Sequence, residues 1–304
     1  MSLPRISLRK IACFVAAADE GSVSAGARSL CLSQAAMSEA LNDLEKELGL
    51  DLFIRHKAIG VTLTGAGRQL LVEARRLVRQ AEEFQALAGG PAANLAGELI
   101  VGCFPTLLPF LAPSLLAGFQ ARHPEVAPRF VEDSQLNLEH AMLAGNIDLS
   151  IVYDFDISPG FERVRLYDAE AYILVSPRHR LGNTTAPVDL ALFGDDPFIQ
   201  IDVLPGRNDH LFAAIGITPN IVHRTTNFEF VRALVAHNLG YAVLVQRPRS
   251  DVTYEGLPLV IRPIANPVPP LTVALAWPAN LHLHRRVKAF ADFTVKACRD
   301  GLHG

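Results

Sequence analysis

The stretch from Ser22 to Glu45, SVSAGARSLCLSQAAMSEALNDLE, constrains this chain more than any other. Ser22 and Ser33 each stand just before an apolar run of helical period, where a hydroxyl can accept the unpartnered backbone N–H groups that open a helix. The run therefore reads as two short helices joined by a tight turn. The spacing puts Val23, Ala27 and Leu30 of the first, and Ala36, Met37, Leu41 and Leu44 of the second, on the inward side. Gln34, Ser38 and Asn42 are left on one outward stripe. In a helix-turn-helix the second helix lies in the major groove with its N-terminal residues at base edges, where Gln and Asn make paired hydrogen bonds to adenine. The competing reading is a helical hairpin whose exposed face is merely polar.

What flanks the hairpin favours the DNA reading. After Glu45 come ELGLDLF and IRHKAIGVTLTGAG, which predict a helix stop near Gly49 and two short strands with Gly60 at or near the bend, the layout of a winged helix. Arg55, His56 and Lys57 fall in the wing, where cations meet phosphates and fix register without reading sequence. Upstream, Leu8, Ile11, Phe14, Val15 and Ala18 repeat at helical spacing and supply a helix that closes the small core.

The run from Phe14 to Gly67 resembles the N-terminal domain of LysR-type transcriptional regulators, through GSVSAGA, LSQAAMS, LEKELG, LFIR and TLTGAG in family order and spacing. The resemblance places the helix-turn-helix at about residues 23–42, within a DNA-binding domain of residues 1–64. It matches Ser33, Gln34, Ala35, Ser38 and Arg55 to positions that approach DNA; the polar stripe adds Asn42 and the wing adds Lys57. Ala35 stands where the family usually has proline, which keeps an early helical position without proline's preset φ. Glu39 stands where a basic or neutral residue is more usual, and its carboxylate would repel phosphate, so it is not assigned a contact.

Composition sets the outer bounds. The chain has 304 residues, half of them hydrophobic, enough for two or three domains with substantial cores. Its net charge of −3, and 8 Lys/Arg against 7 Asp/Glu in residues 1–68, mean that DNA affinity must come from where the cations stand. No apolar run approaches the roughly 20 residues that span a bilayer, and no secretory pattern opens the chain, so a cytoplasmic location and no membrane partner are expected. Cys13, Cys31, Cys103 and Cys298 are too scattered for a zinc cluster and read as buried thiols. The redox-sensing branch of the resembled family uses two close cysteines; Cys103 and Cys298 lie at opposite ends of the C-terminal region, against a peroxide switch. His282 and His284 lack nearby Cys or carboxylates and read as surface residues, so no metal is expected.

From Thr64, a plausible N-cap, to about Leu87, the residues Leu70, Leu71, Ala74, Leu77, Val78, Ala81 and Phe84 are spaced by threes and fours. Such a stripe wants a partner helix or packs on its own domain. The resemblance identifies residues 65–90 as the linker helix through which two winged helices are held apart, implying a homodimer or homotetramer. GGPAANLAG, residues 89–97, reads as a hinge.

Beyond it, short apolar runs alternate with helical patterns, implying an α/β domain built on an open parallel sheet over residues 91–304. The resemblance implies a two-lobed effector-binding domain of periplasmic-binding-protein type, with lobe I at about 92–162 and 268–304 and lobe II at about 163–267. Ligands of open α/β sheets sit beyond the carboxyl ends of strands, at helix N-termini that suit anions. That rule selects Pro105 and Thr106, Ser134 with Gln135, Asp154, Gln200 and Ile201, and Asn227 with Thr226, around a cleft for a small molecule, expected to be an organic acid. The Thr106 hydroxyl is the candidate carboxylate ligand, against the reading that it only caps its helix. The expectation is a regulator with double-stranded DNA, a small effector and RNA polymerase as partners, and no cofactor. The rival class is an enzyme with a DNA-binding head, for which Asp154 with His140 or His237 could be acid–base partners. No GxSxG, Walker-type, HExxH or dinucleotide motif supports it.

Overall fold

Each helix of the N-terminal segment starts on a side-chain cap. In the computed structural model, which describes residues 6–56, 60–88, 95–204, 206–281 and 283–302, Ser7 caps α1 (Leu8–Asp19), Ser22 caps α2 (Val23–Ser29) and Ser33 caps α3 (Gln34–Leu48). Gly49, at φ 67°, ends α3 in the left-handed conformation that costs glycine least. The chain then forms the antiparallel pair β1 (Phe53–His56) and β2 (Gly60–Leu63), in register Phe53 opposite Leu63. Lys57, expected in this wing, lies outside the described residues. Glu45 joins helix to wing: its Oε1 accepts from the Leu52 and Phe53 amides at 2.8 and 3.1 Å.

Phe14, Ala17, Ala27, Met37, Leu41, Leu44 and Phe53 close the core, with the Phe14 and Phe53 rings edge to face at 5.5 Å. Two residues expected inside are not. Leu30 is 37% exposed and Leu8 50%, because Leu30 caps the end of α2 and Leu8 opens α1, each beyond the turn its neighbours bury.

The Thr64 hydroxyl accepts from the Gly67 amide at 2.9 Å and starts α4 (Gly65–Ala88). The apolar stripe of α4 divides. Leu71 and Ala74 complete the winged-helix core, whereas Leu77 is 44% and Phe84 75% exposed. The first half packs on its own domain, and the second half leaves its apolar side chains exposed.

The hinge stretch lies outside the described residues up to Asn94. Lobe I follows: β3 (Gly97–Cys103), α5 (Leu108–Arg122), β4 (Val126–Glu132), α6 (Gln135–Leu143) and β5 (Leu149–Tyr153), then β6 (Phe161–Ala169). Lobe II contains β7 (Tyr172–Val175), β8 (Pro197–Ile201), α7 (Arg207–Ala214), β9 (Asn220–Thr225), α8 (Phe228–Ala236), β10 (Ala242–Leu244) and β11 (Val260–Pro263). The chain returns to lobe I with β12 (Leu271–Pro278) and α9 (Arg285–Arg299).

The sheets depart from the expected parallel arrangement. In lobe I the order is β4-β3-β5-β12-β6: the first three strands run parallel, but β12 is antiparallel to both its neighbours. In lobe II, β7 is antiparallel to β10 and β11, while β8 and β9 pair in parallel. The outward crossing also moves. β6 is paired with β12 from Phe161 to Ala169, so lobe I extends through Ala169 and the chain leaves it at Glu170–Ala171, just beyond the expected crossing at about 162–168. A strand joined to its sheet along its whole length cannot be the hinge.

Candidate functional site

The outward face of α3 carries the predicted stripe. Met37, Leu41 and Leu44 are buried beneath it, Gln34, Ala35 and Asn42 are exposed, and Ser38 is half-buried. Ser33 accepts from the Ala36 amide at 3.2 Å, while the Met37 amide bonds the Ser33 carbonyl. The amides of Gln34 and Ala35 are left pointing out of the helix start, a ready seat for a phosphate. Arg55 reaches back from β1 to Asn42 Oδ1, and its Nη2 lies 3.2 Å from Glu45 Oε2. Asn42 and Arg55, expected as separate contacts, form one unit, with the guanidinium held at the rim of α3.

A cleft of about 1860 Å³ separates the two lobes of the C-terminal domain. Pro105, Thr106, Ser134 and Asn227 line it, as do Gln135 and Thr226. Ser134 and Asn227 also cap α6 and α8, accepting from the Asn137 and Phe230 amides at 3.4 and 2.9 Å. Three assignments, Asp154, Gln200 and Ile201, fall outside the cleft lining. Asp154 is exposed and pairs with Arg163 at 3.1 Å outside the cleft lining, because its own amide continues the sheet by bonding the Thr272 carbonyl. Gln200 is buried but lines no part of the cleft; Ile201 faces a small adjoining cavity, and the residue before it on a strand points the other way. Thr106 does not cap α5, whose N-cap is Leu107; its hydroxyl lies 3.1 Å from the Tyr153 hydroxyl.

The start of α5 is also a poorer anion seat than expected. The Phe104 amide bonds the Ile151 carbonyl, Leu107 and Leu108 donate to the Phe104 carbonyl, Phe110 donates to that of Leu107, and Pro105 and Pro109 have no N–H. Only the Thr106 amide is left unspent in that turn.

Several residues that sequence reasoning missed organise the cleft. Arg232, 2% exposed, donates from Nη2 to the carbonyls of Ser250 and Val252 at 3.1 and 2.5 Å and lies 2.9 Å from Glu229 through Nε. Glu229 Oε1 accepts from the Tyr254 amide at 2.7 Å. Together they hold the 248–254 loop as one wall. The rings of Phe110 and Phe228, from opposite lobes, meet edge to face at 6.1 Å. Glu139 lies one turn after Gln135 on α6, a spacing that would have found it, since i and i+4 share a helix face.

On its outer side, the effector domain receives the linker helix. Arg75 donates to the Ala144 carbonyl at 3.1 Å, and Arg79 pairs with Asp148 and donates to the Gly145 carbonyl. Asp148 Oδ2 accepts from the Ile100 amide at 2.8 Å. The residues touched are the ones that follow the last turn of α6.

The acid–base pairs of the enzyme reading do not assemble. Asp154 faces Arg163, and His237 pairs with the exposed Glu255 at 3.0 Å. His284 is buried at the head of α9, not on the surface, and His282 lies outside the described residues. Among the described residues no group of three His, Cys, Asp or Glu is placed to hold a metal ion, and no helix is long and apolar enough to cross a membrane.

Residues 8–68 match the family model for the bacterial regulatory helix-turn-helix protein of the lysR family, and residues 92–299 match the LysR substrate binding domain. The chain belongs to the LysR family of transcriptional regulators. This LysR-family chain is similar over 96% of its length to HinK, a LysR family transcriptional regulator from Pseudomonas aeruginosa (98% of that chain, 32% identity, TM-score 0.65). It is similar over 96% to a full-length OxyR from the same organism (98% of that chain, 25% identity, TM-score 0.76). Among sequences, the hydrogen peroxide-inducible genes activator of Haemophilus influenzae is 25% identical over 305 residues, 98% of this chain and all of that protein. Its relatives are regulators, and this LysR-family protein is a DNA-binding transcriptional regulator with an effector-binding domain, not an enzyme.

Three of the four cysteines are buried as expected, and Cys31 is not. Cys31 is exposed in the turn between α2 and α3 at φ 53°; Cys13, Cys103 and Cys298 are buried. Cys103 and Cys298, far apart in sequence, belong to one apolar core in lobe I. Burial pushes the Cys103 thiol well above its usual range and that of Cys298 up to about 11. Thiols so disfavoured as thiolates are poor nucleophiles toward an oxidant.

Proposed function

We propose that this regulator binds operator DNA in the cytoplasm as a homodimer or homotetramer and changes its DNA geometry when a small molecule enters the cleft between the lobes. The observation that carries this reading is α6. Its first turns supply Gln135, Leu136 and Glu139 to the cleft, and its last turn leads straight into the Ala144–Gly145 carbonyls gripped by the linker helix. A rigid rod of nine residues, roughly 13 Å long, couples the two. A ligand shifts that arrangement only as far as it prefers one state over the other. The exposed Leu77 and Phe84 of α4 support pairing of two linker helices. RNA polymerase is a further partner on this reading.

Ser33, Gln34, Ala35, Ser38, Lys57 and the Asn42–Arg55 unit are the proposed DNA contacts. Gln34→Ala is expected to lower the preference for operator over unrelated DNA by about 10- to 100-fold, as a lost bidentate base contact is worth about 1–3 kcal/mol. Fluorescence anisotropy on the DNA upstream of the protein's own gene measures it, with wild-type affinity falling steeply as salt rises. Salt-insensitive or sequence-blind binding by the wild type would sink the reading.

Asp148 is buried, and Arg79 is its cation. Arg79→Ala is expected to destabilise the effector domain by about 1–3 kcal/mol, the cost of leaving a buried acceptor short of its partner. Amide exchange at residues 144–148 should rise with it. Unchanged exchange there would show that α6 and the linker helix are not joined in solution.

A further inference from the structure

The cleft is lined by six carboxylates, Glu132, Asp133, Glu139, Asp156, Asp202 and Glu229, against two guanidinium groups, Arg232 and Arg249. Several of these charges are already engaged. Arg232 is tied to Glu229 and two carbonyls, and Asp202 lies 3.9 Å from Arg224. Asp133 Oδ1 accepts from the Ser134 amide and from Asn137 Nδ2, both at 2.7 Å. Two of the three helix starts facing the cleft therefore carry a carboxylate of their own, Asp133 beside α6 and Glu229 in the first turn of α8. At the third, α5, only one amide is unspent. An anionic ligand would meet a like charge at both the α6 and the α8 start.

Glu139 differs from the other five. It is only 5% exposed, yet it lines the cleft, and its one hydrogen-bond partner is the Ser158 hydroxyl at Oε2. No cation among the described residues pairs with it. A buried carboxylate without a counter-charge is costly, and the cost is relieved when a cation arrives. One helical turn earlier, Gln135 has its Nε2 committed to the Phe155 carbonyl at 2.6 Å, which leaves its buried Oε1 an acceptor with no donor. Both side chains ask for N–H donors. The apolar rings of Phe110, Phe155 and Phe228 stand around the same space.

We infer that the effector carries a protonated nitrogen seated on Glu139, with an apolar body against the phenylalanines, and so is an amine in place of the expected organic acid. This rests on the cleft being the effector site. An ammonium offers three donors to the carboxylate and to the Gln135 side of α6, and α6 is the helix that reaches the linker.

The test is a panel of matched trios on one skeleton, such as 2-phenylethylamine, 2-phenylethanol and phenylacetate, with aliphatic trios of four to eight carbons, screened by thermal shift and calorimetry on the full chain. Binding is expected to concentrate in the amines, each about tenfold or more tighter than its matched acid. Glu139→Gln should erase the preference for amine over alcohol, whereas Asp154→Asn, outside the cleft, should keep it. The wild-type panel decides the matter even if Glu139→Gln fails to fold. Tighter binding of acids or alcohols, or no binding by any amine, overturns the inference. Operator binding measured on the same preparation separates the two failures: if it persists while the amines fail, only the ligand class falls.

Discussion

Arg232→Met is expected to destabilise lobe II by about 3–5 kcal/mol, the usual cost of removing one partner from a buried ion pair and stranding the other. Methionine fills much of the volume but offers no donor. The Ser250 and Val252 carbonyls and the Glu229 carboxylate would all lose the group they share. Because those contacts tie the 248–254 loop to α8, the loss should open that cleft wall as well as weaken the lobe. Urea denaturation should show an earlier lobe II transition, and limited proteolysis should cut first near residues 247–254. An unfolding free energy unchanged to within about 0.5 kcal/mol would mean that the loop is held by other contacts.

The second large effect runs against helix propensity. Gly67 lies in the first turn of α4, where alanine should stabilise an isolated helix by about 1 kcal/mol. The fold reverses the sign. A Cβ at Gly67 would fall inside the contact distance of the Leu52 carbonyl oxygen and crowd Leu63 Cδ2 at 3.1 Å. That carbonyl is fixed, since it accepts from the Thr64 amide at 3.0 Å and sits beside β1, whose Phe53 pairs with Leu63. Gly67→Ala is therefore expected to cost the DNA-binding domain about 2–3 kcal/mol, the scale of overpacking against backbone. It should also weaken operator binding about tenfold or more by shifting the wing relative to α3. Thermal melting and anisotropy measure the two effects, and a raised melting point would show that propensity outweighs the close approach.

Gly67 marks the border between what local sequence encodes and what it does not. The winged helix was legible almost throughout, since its signals act over three or four residues: Ser22, Ser33 and Thr64 cap the helices that follow, Gly49 stops α3, and Met37, Leu41 and Leu44 recur at helical spacing. The polar stripe followed from the same periodicity. The Asn42–Arg55 unit did not, because it joins residues 13 apart through a turn whose angle the pattern leaves open.

In the effector domain the alternation of strands and helices was readable, but not strand direction. Whether β12 runs with or against β5 depends on where the chain re-enters after a whole lobe, and the apolar alternation within β12 is the same either way. The same cause hid the lobe crossing at Glu170–Ala171 and misplaced Asp154 and Gln200. Loops after strands were rightly sought as cleft lining, and Pro105, Thr106, Ser134 and Asn227 lie there. The ligand's expected charge, however, was inferred from helix ends without sight of the carboxylates that stand beside two of them, Asp133 at α6 and Glu229 at α8.

The amino-acid sequence by itself determined the class of this protein, its reading helix and the order of its domains, because caps, turns and periodic apolar faces are short-range and need no knowledge of neighbours. Only the tertiary structure decided which carboxylate is buried against the cleft without a cation among the described residues and which carbonyls the linker arginines hold. Those outcomes depend on groups such as Arg79 and Asp148, brought together across 69 residues by packing alone.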